Sequence, residues 1–80
     1  MLTEAELAVL YELDQRPWQT VKRLKVNLEE ELDSATLANL DPLLRSMERK
    51  GLVHGLPDDL IPGADLQWTI SSKGTKELNS

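Results

Sequence analysis

Cysteine and phenylalanine are absent from the sequence, and other rings are scarce: its 80 residues include two tryptophans, one tyrosine and one histidine. Without cysteine the chain has no disulfides, thiolate catalysis or cysteine-ligated zinc, which suits a reducing compartment. With few aromatic rings, the core has to be built mainly from Leu, Val and Ile. No apolar run approaches the roughly 18 residues that span a bilayer, and the first residues lack the basic start of a signal peptide. We therefore expect a soluble, cytoplasmic protein that does not enter the membrane.

Features that would support catalysis or cofactor binding are also missing. The chain has no glycine-rich phosphate-binding loop, and no carboxylates at metal-ligand spacing accompany its single histidine, His54. No pair of carboxylates is placed where different environments would separate their pKa values. We therefore expect a protein that is not an enzyme and holds no cofactor or metal, with His54 as a structural residue of a strand.

Length and charge indicate one small domain over residues 1–80. A chain of this size buries roughly 60–65% of its unfolded surface on folding, which leaves little room for a large cleft. The formal net charge of −5 argues against general affinity for nucleic acids. The charges are nevertheless segregated along the chain. Three basic residues are followed at once by four acidic ones: Lys22, Arg23 and Lys25, then Glu29, Glu30, Glu31 and Asp33.

The best-defined element is a helix over residues 41–50 that leads directly into a strand. Asp41 can accept hydrogen bonds from the first amides, Pro42 suits the first helical position, and Gly51 favours a left-handed stop. The apolar residues at helical spacing are Leu40, Leu43, Leu44 and Met47, and the basic residues largely off that face are Arg45, Arg49 and Lys50.

Two amphipathic helices are predicted before this one. Thr3 and Glu6 form a capping box, so the first helix begins at Glu4, and Pro17 ends its pattern. Its apolar face comprises Leu7, Val9, Leu10 or Tyr11, and Leu13, while Glu4, Glu6, Glu12 and Asp14 are expected to face water. Thr20 is the predicted N-cap of the second helix. The N-terminal half of that helix is basic and its C-terminal half is acidic, which is the reverse of what the helix dipole favours. We therefore expect the helix to stop before Leu32.

The segment 34–40 admits two interpretations. Its residues have helical spacing, but a helix that continued from them would carry Pro42 in its interior, at a cost of about 3 kcal/mol. Either the helix is kinked at this point, or residues 34–40 form a separate turn before Asp41.

Beyond Gly51 the hydrophobic period changes from about 3.6 residues to 2. Leu66, Trp68 and Ile70 alternate with polar residues, which predicts a half-buried strand, and residues 52–56 are its antiparallel partner. Prolines and a glycine make the intervening segment a long hairpin loop. Ser71 or Ser72 can cap a final short turn, and Trp68 is expected to seal the hairpin against the helices.

The order helix, helix, helix, strand, loop, strand is that of a winged helix-turn-helix domain in the α+β class, with three or four helices and a two-stranded antiparallel wing. LRSMERKGLV (44–53) resembles the end of the recognition helix and the first wing strand in the MarR and PadR families of transcriptional regulators. WTISSKGTKEL (68–78) resembles their second wing strand and the turn after it, and TVKRL (20–24) stands at the place of the second helix. The resemblance implies binding to double-stranded DNA, with the helix 41–50 in the major groove.

Eight residues are candidate DNA contacts under this interpretation. Six can neutralise backbone phosphates, namely Lys22, Arg23, Lys25, Arg45, Arg49 and Lys50, and two can contact base edges, namely Asn39 and Ser46. The basic side chains can equally form a solvated face, and Asn39 can equally be a helix cap. Asp41 would repel phosphates and is assigned to capping.

Three features depart from these families. The stretch between Leu24 and Gly51 is longer than their helix-turn-helix, and Pro42 stands where they have a helix interior. The loop 54–67 contains three aspartates and no Lys or Arg, whereas a wing that contacts DNA normally carries a basic residue. The 80 residues also leave no room for added dimerisation helices, so a homodimer would use the first helix, the termini or the wing.

The acidic loop supports a second hypothesis, a winged-helix module that binds a protein partner and not DNA. Leu60 and Ile61, between the prolines of this loop, are candidate anchors for that partner, with the aspartates as a polar rim. Folding of the two residues back over the domain is the alternative. The run of glutamates at 29–31 is interpreted as a solvated face or as an edge that repels DNA.

Overall fold

Five helices and a two-stranded sheet make up the part of the chain that the structure, a computed structural model, describes, residues 2–57 and 65–79. The order is α1 (Glu4–Gln15), α2 (Val21–Asn27), α3 (Ser34–Ala38), α4 (Leu40–Arg49), β1 (Val53–Leu56), β2 (Gln67–Ile70) and α5 (Ser72–Leu78). The α+β class is therefore confirmed. The expected three or four helices are too few, because residues 34–38 form a helix of their own and the predicted last turn is helical.

Local sequence signals set the ends of the first two helices as predicted. The Thr3 hydroxyl accepts from the Glu6 amide at 3.1 Å, and the Glu6 carboxylate accepts from the Thr3 amide at 2.9 Å, which completes the capping box. The Thr20 hydroxyl accepts from the Arg23 amide at 3.2 Å. Helix α2 ends at Asn27, so the expectation that it stops before Leu32 is confirmed.

The chain breaks at Asn39, between α3 and α4. Asp33 caps α3 by accepting from the Thr36 amide at 2.8 Å, and hydrogen bonding from Thr36 lowers the pKa of this carboxyl. Because α4 begins at Leu40, Pro42 lies in its first turn, where its missing N–H leaves no helical hydrogen bond unmade. Residues 34–38 are thus a separate element, and no helix is kinked at Pro42.

The prediction that Asp41 caps the central helix is wrong. The cap position lies two residues earlier than predicted, at Asn39, so Asp41 lies inside the first turn. The side chain of Asn39 makes no capping hydrogen bond there; its amide donates to the Ala35 carbonyl at 2.8 Å. Asp41 instead accepts from Arg45, one turn further along the same helix.

The predicted stop at Gly51 is confirmed and leads directly into β1. Gly51 has a φ of 79°, and its amide donates to the Glu48 carbonyl at 2.9 Å. The Leu52 amide donates to the Met47 carbonyl at 2.9 Å, so the two bonds form a Schellman motif. This motif satisfies two of the last carbonyls of α4 and turns the chain into the sheet.

The sheet pairs β1 with β2 antiparallel, with Gly55 opposite Trp68. The indole of Trp68 lies over Gly55 so closely that a Cβ at this position would be 2.9 Å from two ring atoms. On its other side, Trp68 exchanges two backbone hydrogen bonds with Gln19, of 2.7 and 3.0 Å. The connection between α1 and α2 is thereby attached to the sheet, and Trp18 within it has a φ of 66°.

The core is aliphatic around one indole, as predicted from composition. Its fully buried members are Val9, Leu10, Leu13, Leu24, Leu28, Leu40, Leu44, Met47, Leu52, Val53 and Trp68. Leu7 and Tyr11 were placed on the apolar face of α1, the second as an alternative to Leu10, but they are 39% and 55% exposed. The face that packs inward is therefore the one that carries Val9, Leu10 and Leu13.

Two glutamates of α1 that were expected to face water are buried, so that prediction is wrong. Glu6 is 2% exposed and Glu12 is 7% exposed. Glu6 precedes Leu10 and Leu13 by four and seven residues, so the helical period places it on the buried face. Both carboxylates accept hydrogen bonds, Glu6 from Thr3 and Lys50 and Glu12 from Arg16, Gln19 and Asn27, which offsets their loss of water.

Candidate nucleic-acid interface

Three of the predicted basic residues meet on one surface between α2 and α4. Helix α4 buries Leu40, Leu44 and Met47 and turns Arg45 toward solvent, while α2 buries Leu24 and exposes its lysines. A pocket of about 470 Å³ lies between the two helices and the start of β2. Its lining residues are Lys22, Lys25 and Arg45, with Asp41, Asp65, Val21, Leu66 and Trp68.

Two carboxylates lie among these cations, and one of them is paired. The Nε of Arg45 donates to an Asp41 carboxylate oxygen at 3.1 Å, and the two side chains are 54% and 55% exposed. An exposed pair with this spacing contributes only about 0.3–0.5 kcal/mol, so a phosphate can compete for Arg45. Lys22 and Lys25 make no ion pair with any described residue. The surface therefore offers two unpaired ammonium groups and one weakly held guanidinium.

The remaining predicted contacts of α2 and α4 lie around this pocket without lining it. Arg23 is on the outer side of α2, in a shallow depression with Thr20, Lys22 and Val26. Arg49 is exposed near the end of α4, and Ser46 is half-buried one turn before it. Neither residue lines the pocket.

Lys50 is engaged elsewhere. Its ammonium donates to a Glu6 carboxylate oxygen at 2.7 Å and so joins the end of α4 to the start of α1. The Lys50 carbonyl also accepts from the ammonium of Lys73 at 2.9 Å. The structure therefore places the Lys50 ammonium against Glu6 of α1 and not beside Lys22, Lys25 and Arg45.

The electrostatics of Glu6 follow from this contact. Burial by itself would raise its pKa, but the hydrogen bonds from Lys50 and Thr3 and the positive charge of Lys50 outweigh burial and lower the pKa below its usual value. Glu6 therefore stays ionised, and the pair joins α1 to the end of the helix that carries Arg45 and Arg49.

Asn39 is also separate from the basic group. It lines a shallow depression with Ala5, Ala35, Thr36 and Leu43, where α3 and α4 meet α1. Its amide is already donated to the Ala35 carbonyl. The Asn39 amide is therefore not part of the surface that carries Lys22 and Arg45.

A buried polar network that the sequence did not indicate holds α2 in place. The Gln19 amide donates to the Arg16 carbonyl at 2.6 Å and to the Glu12 carboxylate at 3.1 Å. The Asn27 amide donates to the Gln19 side-chain oxygen at 2.7 Å and more weakly to Glu12 at 3.3 Å. Arg16 contacts both oxygens of Glu12, at 3.0 and 3.1 Å. The network thus connects α1, the Gln19 segment and the end of α2.

Most of the hairpin loop lies outside the described residues. Leu60 and Ile61, like Asp58 and Asp59, lie outside the described residues, so only Asp65 of the acidic loop can be placed, at the pocket. His54 is exposed on β1 opposite Thr69. Trp68 is fully buried, and its indole N–H has no hydrogen-bond acceptor among the described residues.

Within residues 2–57 and 65–79, no three His, Cys, Asp or Glu side chains are grouped so that they could hold a metal ion. None of the helices in this part of the chain has both the length and the hydrophobicity needed to cross a bilayer. No protein-family model, curated protein or solved structure matches the chain.

Proposed function

We propose that this protein is a small winged-helix DNA-binding protein, and that it acts as a transcriptional regulator with α4 as its recognition helix. The observation that carries the proposal is the convergence of Lys22, Lys25 and Arg45 on one surface of a protein whose net charge is −5. The chain has more acidic than basic residues, so three basic side chains from two helices on one surface favour a phosphate partner.

The arrangement of elements supports the same function. Helix α2 packs against α4, and α4 ends in a turn that leads directly into β1 of the hairpin, in the order on which the family resemblance rests. Pro42 does not interrupt α4, because the helix begins at Leu40 and the proline lies in its first turn. A rigid α4 that turns Arg45 and Arg49 outward can enter a major groove.

Contacts with DNA divide between the two helices. Lys22 and Lys25 bind phosphates, and Arg45 exchanges its exposed partner Asp41 for a third phosphate. Arg49 and Ser46, in the C-terminal half of α4, contact base edges, since arginine pairs with guanine and serine with several bases. Lys50 and Asn39 take no part, because the Lys50 ammonium is paired with Glu6 and the Asn39 amide donates to the Ala35 carbonyl.

Salt-dependent binding to labelled duplex DNA tests the proposal. Each lost phosphate contact should reduce the slope of log affinity against log salt by about 0.9. Lys22→Ala with Lys25→Ala and Arg45→Ala should therefore weaken binding and flatten the slope by almost 3. Lys76→Ala, which removes one charge from α5, is the control and should change the slope little. Wild-type slopes in the triple variant would contradict the proposal.

A protein-interaction module is the second candidate, and the carboxylates at the pocket favour it. Asp41 and Asp65 stand among the three cations, and the sequence of the adjoining loop adds Asp58 and Asp59. Under this hypothesis the wild-type protein binds no duplex even at low salt, and it captures a partner from its source cell whether or not nuclease is present. Leu60→Ser with Ile61→Ser should then abolish capture while circular dichroism stays unchanged.

A further inference from the structure

The outer face of α2 carries an apolar side chain without cover. Val26 is 61% exposed, more than Tyr11, Trp18, Leu56 or Leu7. Together with Thr20, Lys22 and Arg23 it lines a shallow depression of about 200 Å³. Lys22 and Arg23 precede Val26 by four and three residues, so the helical period places all three on one side of α2.

Acidic residues follow the same valine at sequence distances that match those of the basic residues before it. Glu29 and Glu30 come three and four residues after Val26, in the turn that continues α2. The Leu28 carbonyl accepts from the amides of Glu31 and Leu32, both at 3.0 Å, so a further turn begins at Leu28, directly after the end of the helix. Glu29 and Glu30 are exposed and pair with no described cation, although Lys25 is only one turn away from Glu29.

We infer that residues 22–30 form the contact surface for a second copy of this chain. Two such segments that run antiparallel about a two-fold axis at Val26 bring residues at equal distances before and after Val26 face to face. Arg23 then meets Glu29 of the second copy, Lys22 meets its Glu30, and the two Val26 side chains cover each other. Each pair of charges occurs twice because the contact is symmetric.

A second copy fits this surface better than other occupants do. Nucleic acid or an acidic peptide would match only the cationic half and would approach Glu29 and Glu30 unfavourably. A copy of the chain matches both halves and removes Val26 from water at the same time. Asp33, the last acidic residue of this run, takes no part in the contact because it caps α3. The contact is small and mostly charged, so we expect weak association that depends strongly on salt.

Charge reversal followed by mixing tests this arrangement by sedimentation equilibrium without DNA. At about 0.01 M salt the wild type should dimerise, and at about 1 M salt the dissociation constant should rise about tenfold or more. Lys22→Glu with Arg23→Glu should be monomeric, and so should Glu29→Lys with Glu30→Lys. An equimolar mixture of the two variants should form heterodimers, because each reversed half then meets its complement.

Controls separate this contact from general charge effects and from misfolding. Lys76→Glu on α5 should dimerise like the wild type. Arg23→Glu combined with Glu29→Arg in one chain keeps the net charge and the complementarity, so it should still dimerise. A wild type that is monomeric at low salt, reversed variants that dimerise alone, or a mixture that stays monomeric would overturn the inference. Because no DNA is present, these results are independent of the proposed DNA binding.

Discussion

Glu6 should stabilise the fold in a way that depends on pH. Its carboxylate is buried, accepts from Thr3 at 2.9 Å and pairs with the ammonium of Lys50 at 2.7 Å. Glu6→Gln keeps an oxygen that can accept from Thr3, since glutamine also serves in capping boxes, but it loses the charged contact. A hydrogen bond to a charged group contributes about 1.5–3 kcal/mol, and the exposure of Lys50 reduces this to about 1–2 kcal/mol.

The sign of the pH dependence follows from the lowered pKa of Glu6. Its ordinary pKa is 4.5, and the folded protein holds the proton less tightly than the unfolded chain does. Above the ordinary value the carboxyl is ionised in both states, so the stabilisation is fully present. As the pH falls below 4.5 through the lower folded pKa, protonation favours the unfolded chain and the stabilisation is lost.

Urea unfolding followed by circular dichroism measures the effect. With a slope of about 1 kcal/mol per molar urea, Glu6→Gln should lower the midpoint by about 1–2 M at neutral pH. The difference from wild type should shrink as the pH is lowered, because Glu6 then becomes protonated in the wild type, whereas the other carboxyls titrate alike in both proteins. Glu4→Gln, an exposed neighbour, should behave like the wild type at every pH. A constant difference, or none at neutral pH, would refute the role of the ionised pair.

Three further variants test other contacts. Asp41→Asn frees Arg45 and removes a charge that repels phosphate, so DNA affinity should rise about two- to fivefold by anisotropy, against Asp14→Asn as control. Asn27→Ala leaves the Gln19 oxygen without its donor and should cost about 1–2 kcal/mol in urea unfolding, whereas Asn79→Ala should cost almost nothing. Gly55→Ala pushes a methyl group into the Trp68 ring and should cost about 1–3 kcal/mol, with altered indole fluorescence in a Trp18→Phe background.

Features set by neighbouring residues were predictable from the sequence. The capping box at Thr3, the cap at Thr20 and the stop at Gly51 each depend on groups within a few positions of one another. The start of the central helix was missed because Asp41 is a good capping residue by type. It forms an ion pair with Arg45 instead, and a short helix at 34–38 supplies the turn before it.

Contacts between distant parts of the chain were not predictable in the same way. Glu6 and Lys50 are 44 residues apart, and the sequence gives no local sign that one will pair with the other. The period of α1 did place Glu6 on the buried face, and this was the available signal. The pairing of Gln19 with Trp68 and the network around Glu12 also depend on how the connection between α1 and α2 packs.

In the candidate site, too, the sequence identified the residue types but not their positions relative to one another. Residue types and helical faces identified the basic set, but the crossing of α2 and α4 decides which members meet. Arg45 and Lys50, the C-cap residue of α4, are five positions apart, or about 140° around the helix axis. One therefore lines the pocket with Lys22, and the other reaches α1.

Lys22 takes part in both proposed contacts, so DNA binding and self-association should oppose each other. A lysine that faces Glu30 of a second copy is not available to a phosphate, and by linkage each equilibrium weakens the other. Val26→Ser removes the apolar centre of the dimer without changing any charge. At protein concentrations where the wild type dimerises, this variant should bind duplex DNA more tightly. Weaker binding would mean instead that the dimer is the form that binds DNA, as symmetric half-sites require.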